Sequence, residues 1–172
     1  DGAPAAKRVA EDALAFAVVA ALVFTGIAEL AMPLLVMALA PGFLDNPEQF
    51  QRTVEMARIT FPYLALMTLT ALGGAVLNGV GRFGAAAAAP ILLNLIAITA
   101  MLAFIDIGKT PGHTLAAAVA IAGVAQLLMI VIVAKRAGYD LHLRRPRLTP
   151  GVKRLGKLMG PGVLAAGATQ IN

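Results

Sequence analysis

Four apolar runs, each bounded by charged or turn-forming residues, set the pattern of the sequence. They cover residues 13–40, 59–78, 85–105 and 114–134, and the first contains one charged side chain, Glu29. About 20 consecutive apolar residues are enough for an α-helix to cross the hydrocarbon core of a bilayer. The pattern therefore predicts four transmembrane helices, with a further one beginning in residues 158–172. The first run is longer than a bilayer needs, which predicts tilting, a kink at Pro33, or projection into water.

The composition supports a membrane protein. Hydrophobic residues make up 59% of the 172 residues, charged residues only 13%, and the mean hydropathy is +0.83, whereas soluble domains carry about 25% charged residues. The predicted fold class is therefore an all-α integral membrane protein, a polytopic helix bundle. The chain has no cysteine, which excludes disulfides and thiolate metal sites. The net charge of +5 is accompanied by few aromatic residues, and we expect no nucleic-acid partner.

Basic residues in the connections predict the orientation, because cytoplasmic loops carry an excess of Lys and Arg. Residues 1–12, 79–84 and 135–157 hold most of the 14 basic residues and are predicted to be cytoplasmic. The connections 41–58 and 106–113 contain the acidic Asp45, Glu48, Glu55 and Asp106 and are predicted to form loops on the outer side.

The connection 135–157 is the most basic part of the chain, with Asp140 as its only acidic residue. From Pro150 onward, apolar residues recur at helical spacing while Lys153, Arg154 and Lys157 occupy the other face. Such a helix lies along anionic phospholipid headgroups. The sequence leaves two interpretations open, a solvated linker between helix bundles and a segment that also binds anionic lipid.

The run GVGRFG matches the G-x-G-x-x-G pattern of dinucleotide-binding loops through Gly79, Gly81 and Gly84. That pattern has its meaning only between a buried strand and a helix, with an acidic residue about 20 positions later. Here it lies between two uncharged runs of transmembrane length, and Asp106 comes beyond the second of them. We therefore interpret it as a short turn between two helices, with Arg82 at the membrane interface.

Polar side chains within the apolar runs are the candidates for a substrate path, since each is costly in hydrocarbon unless it faces protein, water or substrate. They are Glu29, Asn78, Arg82, Asn94 and Gln126. Glu29 either faces a cavity, where it can bind a cation or proton, or reaches the outer interface. The three amides either form hydrogen bonds between helices or line a substrate path.

Catalytic and metal-binding patterns are absent from the sequence. His113 and His142 are predicted to lie in loops on opposite sides of the membrane, and no paired carboxylates, P-loop or nucleophile motif is visible. We expect no catalytic residues, no metal site and no cofactor. Transport or scaffolding is favoured over an enzymatic function.

Several ordered motifs resemble one family. They are APGF at 40–43, ITFPY at 59–63, GG-x-x-LN at 73–78, the pair Arg82-Phe83, AP-x-LLN at 89–94, and the final run KLMGPGVLAAGATQIN. Together they resemble the MurJ/MviN lipid II flippase family of the MOP exporter superfamily. The resemblance runs from about that family's third helix to the start of its seventh helix. It implies most of an N-terminal lobe, and we expect the chain to be an internal piece of a longer protein.

The resemblance implies a transporter of the bacterial inner membrane that moves the undecaprenyl-pyrophosphate-linked peptidoglycan precursor to the periplasmic leaflet by alternating access. A membrane potential or an ion gradient would drive it, and cell-wall synthesis machinery is a further expected partner. The family's essential cationic residues lie in helices outside this sequence, so no essential residue is transferred. Two alternatives stay open: an exporter of another polyprenyl-linked oligosaccharide or a drug, and a non-transporting membrane scaffold for cell-wall synthesis.

Overall fold

A computed structural model describes residues 2–104, 110–139, 153 and 157. In this part of the chain every regular element is a helix. The elements are α1 (Gly2–Leu30), α2 (Met32–Leu39), a 3-10 turn (Pro41–Asp45), α3 (Pro47–Thr60), α4 (Pro62–Gly79), α5 (Phe83–Ala103) and α6 (Pro111–Arg136). The prediction of an all-α polytopic membrane protein is confirmed.

Residues 20–140 form one compact unit, and residues 1–19 and 141–172 belong to a second. Within the described residues, four stretches are long and apolar enough to cross a membrane: Arg8–Leu30, Pro47–Gly79, Phe83–Ala103 and Pro111–Arg136. The sequence placed its four spans at 13–40, 59–78, 85–105 and 114–134. Prediction and structure thus differ mainly in where the first and second helices begin and end.

Three prolines interrupt helical hydrogen bonding without ending the helical path. Pro33 follows the one-residue break at Ala31 between α1 and α2, Pro62 begins α4 directly after Phe61, and Pro90 lies inside α5. A proline has no N–H for the carbonyl four residues earlier and its ring displaces that carbonyl. The carbonyls of Glu29, Arg58 and Ala86 therefore lose their usual helical partner. Pro90 stands in the interior of α5, where this loss matters most.

The outer connection 41–58 was expected to be a loop, but it is largely helical. Asn46 caps α3 by accepting a hydrogen bond from the backbone N–H of Gln49 at 3.1 Å, and Pro47 occupies the first turn. Helix α3 continues through Phe61 into α4, giving a helical path of 33 residues, about 50 Å along its axis. A core of about 30 Å cannot contain this length, so the charged α3 extends beyond it.

A small apolar cluster holds α2 against α3. Met32, Val36 and Val54 are buried there, and Phe50 and Phe61 pack around them. The ring of Phe61 also lies 5.9 Å from the ring of Phe24 on α1. The apolar face of α3 thus packs against α2, while Glu48 and Arg52 form an ion pair on its exposed face.

Small residues allow α4, α5 and α6 to pack closely. A Cβ added at Gly73 would lie 2.6 Å from Cγ2 of Ile130, and one at Gly74 would lie 3.2 Å from Cβ of Ala86. On α6, a Cβ at Gly123 would lie 2.8 Å from the ring of Tyr63. In hydrocarbon, where water does not drive helices together, such close approach supplies much of the association energy.

The GVGRFG turn is a glycine-terminated helix end. Gly81 has a φ of +77°, and the N–H groups of Gly81 and Arg82 donate to the carbonyls of Asn78 and Leu77 at 3.0 and 2.9 Å. This pairing is the Schellman motif, which caps the last carbonyls of a helix and suits glycine because of its positive φ. Helix α5 begins at Phe83, so the motif joins two membrane helices.

Helix α6 ends in the same way. Gly138 has a φ of +78°, and the N–H groups of Gly138 and Tyr139 donate to the carbonyls of Lys135 and Ala134. The described chain then continues only at the helical residues Lys153 and Lys157. Apart from these, the linker predicted over 135–157 lies outside the described residues beyond Tyr139, as does the helix start predicted over 158–172.

Candidate functional site

The five candidates from the sequence differ sharply in burial. Gln126 is 3% exposed, Glu29 is half-buried, and Asn78, Arg82 and Asn94 are exposed on this part of the protein. Arg82 follows the glycine of the turn and precedes α5. The structure does not bring the five side chains together. Gln126 is the one of the five that lines a cavity together with another buried polar side chain.

Gln126 connects α6 to α5. Its side-chain Nε2 donates to the carbonyl of Ala89 at 2.6 Å, which fixes the amide orientation because only the nitrogen can donate to a carbonyl. Its Oε1 is then directed elsewhere and has no hydrogen-bond partner among the described residues. A buried carbonyl oxygen without a partner costs free energy comparable to a lost hydrogen bond. The amide thus acts as interhelical glue through its nitrogen, while its oxygen is available.

Thr70 presents a second buried polar group, a hydroxyl. It is 6% exposed, and its Oγ1 also has no partner in the described part of the chain. Four of the other helical threonines, Thr53, Thr60, Thr68 and Thr99, donate to the carbonyl four residues earlier at 2.7 to 2.9 Å. Thr70 does not make this usual bond. Its hydroxyl is therefore available to a group outside its own helix.

A cavity of about 230 Å³ between α4, α5 and α6 adjoins both side chains. We call it the Thr70–Gln126 pocket; its walls include Tyr63, Met67, Thr70, Ala86, Pro90 and Gln126. Thr70 and Gln126 lie nine and ten residues before the ends of their helices at Gly79 and Arg136. This is roughly 15 Å along each axis, about half of a 30 Å hydrocarbon core. The pocket therefore lies near the middle of the membrane.

The polar groups at the pocket can both accept and donate hydrogen bonds. Gln126 offers its Oε1 and its second N–H, and Thr70 offers its hydroxyl. No lining residue is acidic or basic. The arrangement suits a small neutral molecule that donates and accepts hydrogen bonds.

Glu29 lies at the break between α1 and α2. Its Oε1 is buried without a hydrogen-bond partner among the described residues, and so is Oγ1 of Thr25, one turn earlier on the same helix. Pro33 also deprives the backbone carbonyl of Glu29 of its helical donor. Several oxygen acceptors therefore occur at one point of the helix, which is unfavourable in dry hydrocarbon.

We predict that Glu29 has access to water in the full-length protein. A cysteine placed at 29, in a background otherwise free of cysteine, should react with a small water-soluble thiol reagent in intact membranes. Val23 supplies the control, because it is 56% exposed on an apolar stretch of the same helix and its cysteine variant should stay unlabelled. Absence of labelling at both positions would mean that the carboxylate is enclosed, and the prediction would be wrong.

Polar contacts that the sequence did not predict join α3 to the first turn of α6. Nε2 of His113 lies 3.4 Å from Oε2 of Glu55, and its Nδ1 lies 2.8 Å from Oγ1 of Thr110. His113 was expected in a loop but belongs to the first turn of α6, which Thr110 and Pro111 begin. His142 lies outside the described residues. Among the residues that the structure describes, no group of His, Asp and Glu is arranged to hold a metal ion.

A larger groove of about 690 Å³ lies between α5 and α6 near Ile59. It is lined almost entirely by apolar side chains. The hydroxyls of Thr99 and Thr114 at its wall already donate to the carbonyls of Leu95 and Phe104. Among the described residues at its wall, this groove therefore offers packing surface but no free polar side chain, in contrast to the Thr70–Gln126 pocket.

Comparison with known proteins gives a consistent result over the whole chain. The family model described as Lipid II flippase MurJ matches residues 2–172. The chain is 44% identical to the probable lipid II flippase MurJ of Rhizobium tropici and 41% identical to that of Rhizobium meliloti strain 1021, over 100% and 99% of its length. It is 35% identical to the lipid II flippase MurJ of Burkholderia cenocepacia over 80% of its length.

The chain spans about a third of the length of these relatives, 33% of each Rhizobium protein and 27% of the Burkholderia protein. The family assignment and the four helices of spanning length support the predicted location in the bacterial inner membrane. The resemblance deduced from the sequence motifs is confirmed. The chain belongs to the MurJ family of lipid II flippases.

Proposed function

We propose that the full-length protein flips lipid II, the undecaprenyl-pyrophosphate-linked peptidoglycan precursor, from the cytoplasmic to the periplasmic leaflet by alternating access. The observation that supports this most directly is the family match over residues 2–172, which includes all four helices of spanning length. The described residues form part of the N-terminal lobe. A membrane potential or an ion gradient drives the cycle, and the protein acts as a transporter, not as an enzyme.

The helices α4 to α6 supply the packed framework of this lobe. Between Pro62 and Asn78, in all of α5, and between Thr114 and Ala134, no side chain carries a formal charge. A pyrophosphate is bound best by Arg and Lys side chains. We infer that the cationic groups that meet the substrate are contributed by helices outside this chain, with Arg82 and the basic segment 135–157 facing the cytoplasm. Anionic phospholipids are the proposed partner of that segment.

The experiment that tests the function measures lipid II exposed on the outer leaflet after rapid inactivation of the full-length protein. Exposure should fall while total lipid II rises, because synthesis continues on the cytoplasmic side. Resupply of the active protein should restore exposure, which excludes a secondary effect of arrested growth. Unchanged exposure would contradict the proposal, and would favour an exporter of another polyprenyl-linked oligosaccharide or a drug, or a scaffold for cell-wall synthesis.

A further inference from the structure

We propose that the Thr70–Gln126 pocket is a hydration site that holds ordered water molecules near the middle of the membrane, between α4, α5 and α6. The proposal goes beyond the transport function and does not depend on it. It rests on the cavity of about 230 Å³ and on the two buried, unpartnered oxygens at its wall, Oγ1 of Thr70 and Oε1 of Gln126.

The free groups at the pocket require a molecule that can both donate and accept hydrogen bonds. Nε2 of Gln126 donates one of its two N–H groups to the carbonyl of Ala89, so the amide keeps one N–H donor as well as its Oε1 acceptor. The hydroxyl of Thr70 can donate or accept, since its Oγ1 has no partner among the described residues. Water donates two hydrogen bonds and accepts others, and can therefore satisfy both side chains at once.

The absence of charged side chains at the pocket favours water over a cation. None of its lining residues is Asp, Glu, His, Lys or Arg. Removing an ion from water without a countercharge costs far more than burying a neutral molecule with its hydrogen bonds made. The uncharged lining of the pocket therefore favours a neutral molecule.

The size of the pocket also agrees with water. A single buried water needs only about 10–15 Å³ of cavity and two to four polar partners. The pocket, at about 230 Å³, is about 15 to 20 times larger, and Thr70, Gln126 and Tyr63 supply polar groups at its wall. A small cluster of waters therefore fits, in which each molecule bonds to a protein group and to another water.

X-ray hydroxyl-radical footprinting of the full-length protein in nanodiscs tests the proposal, because radicals form from water bound next to the reacting side chain. Tyr63 and Met67, which line the pocket, should be modified several-fold faster than Met129. Met129 is a suitable control because it lies three residues after Gln126 on α6 and does not line the pocket. Equal, slow modification of all three side chains would show a dry pocket and overturn the proposal.

Two variants link the signal to the proposed groups. Thr70→Val removes one hydroxyl at nearly constant shape, and Gln126→Leu removes the amide. Each should lower modification of Tyr63 and Met67 several-fold without changing Met129. Thr70→Val keeps the test decisive should Gln126→Leu disturb folding, which size-exclusion chromatography would reveal. Unchanged modification in a folded Thr70→Val variant would contradict the assignment.

A further arm separates water from a bound cation. Thermal unfolding is compared in sodium chloride, potassium chloride and choline chloride at equal ionic strength. A ligand that binds the native state raises its stability as its concentration rises. A hydration site predicts that any difference between the three midpoints is the same in the wild-type protein and in Thr70→Val. Stabilisation by one alkali cation that is lost in Thr70→Val would identify a cation site and overturn the proposal as stated.

Discussion

Replacing Gly123 with alanine in the full-length protein should destabilise it by about 1–3 kcal/mol relative to a matched glycine replacement, the usual cost of overpacking a well-packed interior. A Cβ at this position would lie 2.8 Å from Cδ2 of Tyr63, 3.0 Å from Cδ1 of Leu66 and 3.2 Å from Cβ of Leu66. A terminal methyl can rotate away, but Cβ of Leu66 is fixed to the backbone of α4. Helices α4 and α6 must therefore separate.

Gly26→Ala is the control for this prediction. Gly26 also lies within a helix, α1, but an added Cβ there meets no atom within 4 Å. Both replacements gain about 1 kcal/mol of helix propensity, so their difference isolates the steric effect. Stability is measured by equilibrium unfolding of the purified protein in mixed micelles with increasing SDS. Equal midpoints for the two variants would show that α4 and α6 are not in the close contact described.

The architecture of the membrane part was largely predictable from the sequence. Transmembrane length and lack of charge specify helices such as α5 and α6 almost completely, and the glycines of GVGRFG indicated a turn that the structure resolves as a helix cap at Gly81. The 41–58 connection was not predictable in the same way. Its charges resemble a loop, and its helical form depends on the packing of Val54 against Met32 and Val36 on another helix.

The candidate site was predictable only in part. Gln126 was recognised because an amide is conspicuous in an apolar run, whereas Thr70 was not, since most membrane threonines bond to their own helix. Only the structure shows that the hydroxyl of Thr70 lacks the hydrogen bond to the carbonyl four residues earlier. Thr53, Thr60, Thr68 and Thr99 make this bond. Pro90 was a signal available in the sequence, because its position alone implies that the carbonyl of Ala86 lacks the usual helical donor.

The second large effect is expected at Gly73. Gly73→Ala should destabilise the full-length protein by about 1–3 kcal/mol, because the new Cβ would lie 2.6 Å from Cγ2 of Ile130. Ile130 is 3% exposed and belongs to the core cluster with Leu77, Ala85 and Ala134. A β-branched side chain in a helix is restricted to essentially one χ1 rotamer. Cγ2 therefore cannot move aside, and the cost falls on the contact between α4 and α6.

A second substitution in the same contact tests this cause. Ile130→Leu conserves volume but moves the branch point outward, which removes the methyl at Cγ2, and alone it should cost less than about 1.5 kcal/mol. Combined with Gly73→Ala, it should recover part of the loss, with a coupling of about 0.5–3 kcal/mol in a double-mutant cycle by SDS unfolding. Additive effects would contradict a direct clash. Recovery would show that the glycine is required because of the specific methyl group opposite it, and that this contact limits how closely α4 and α6 approach.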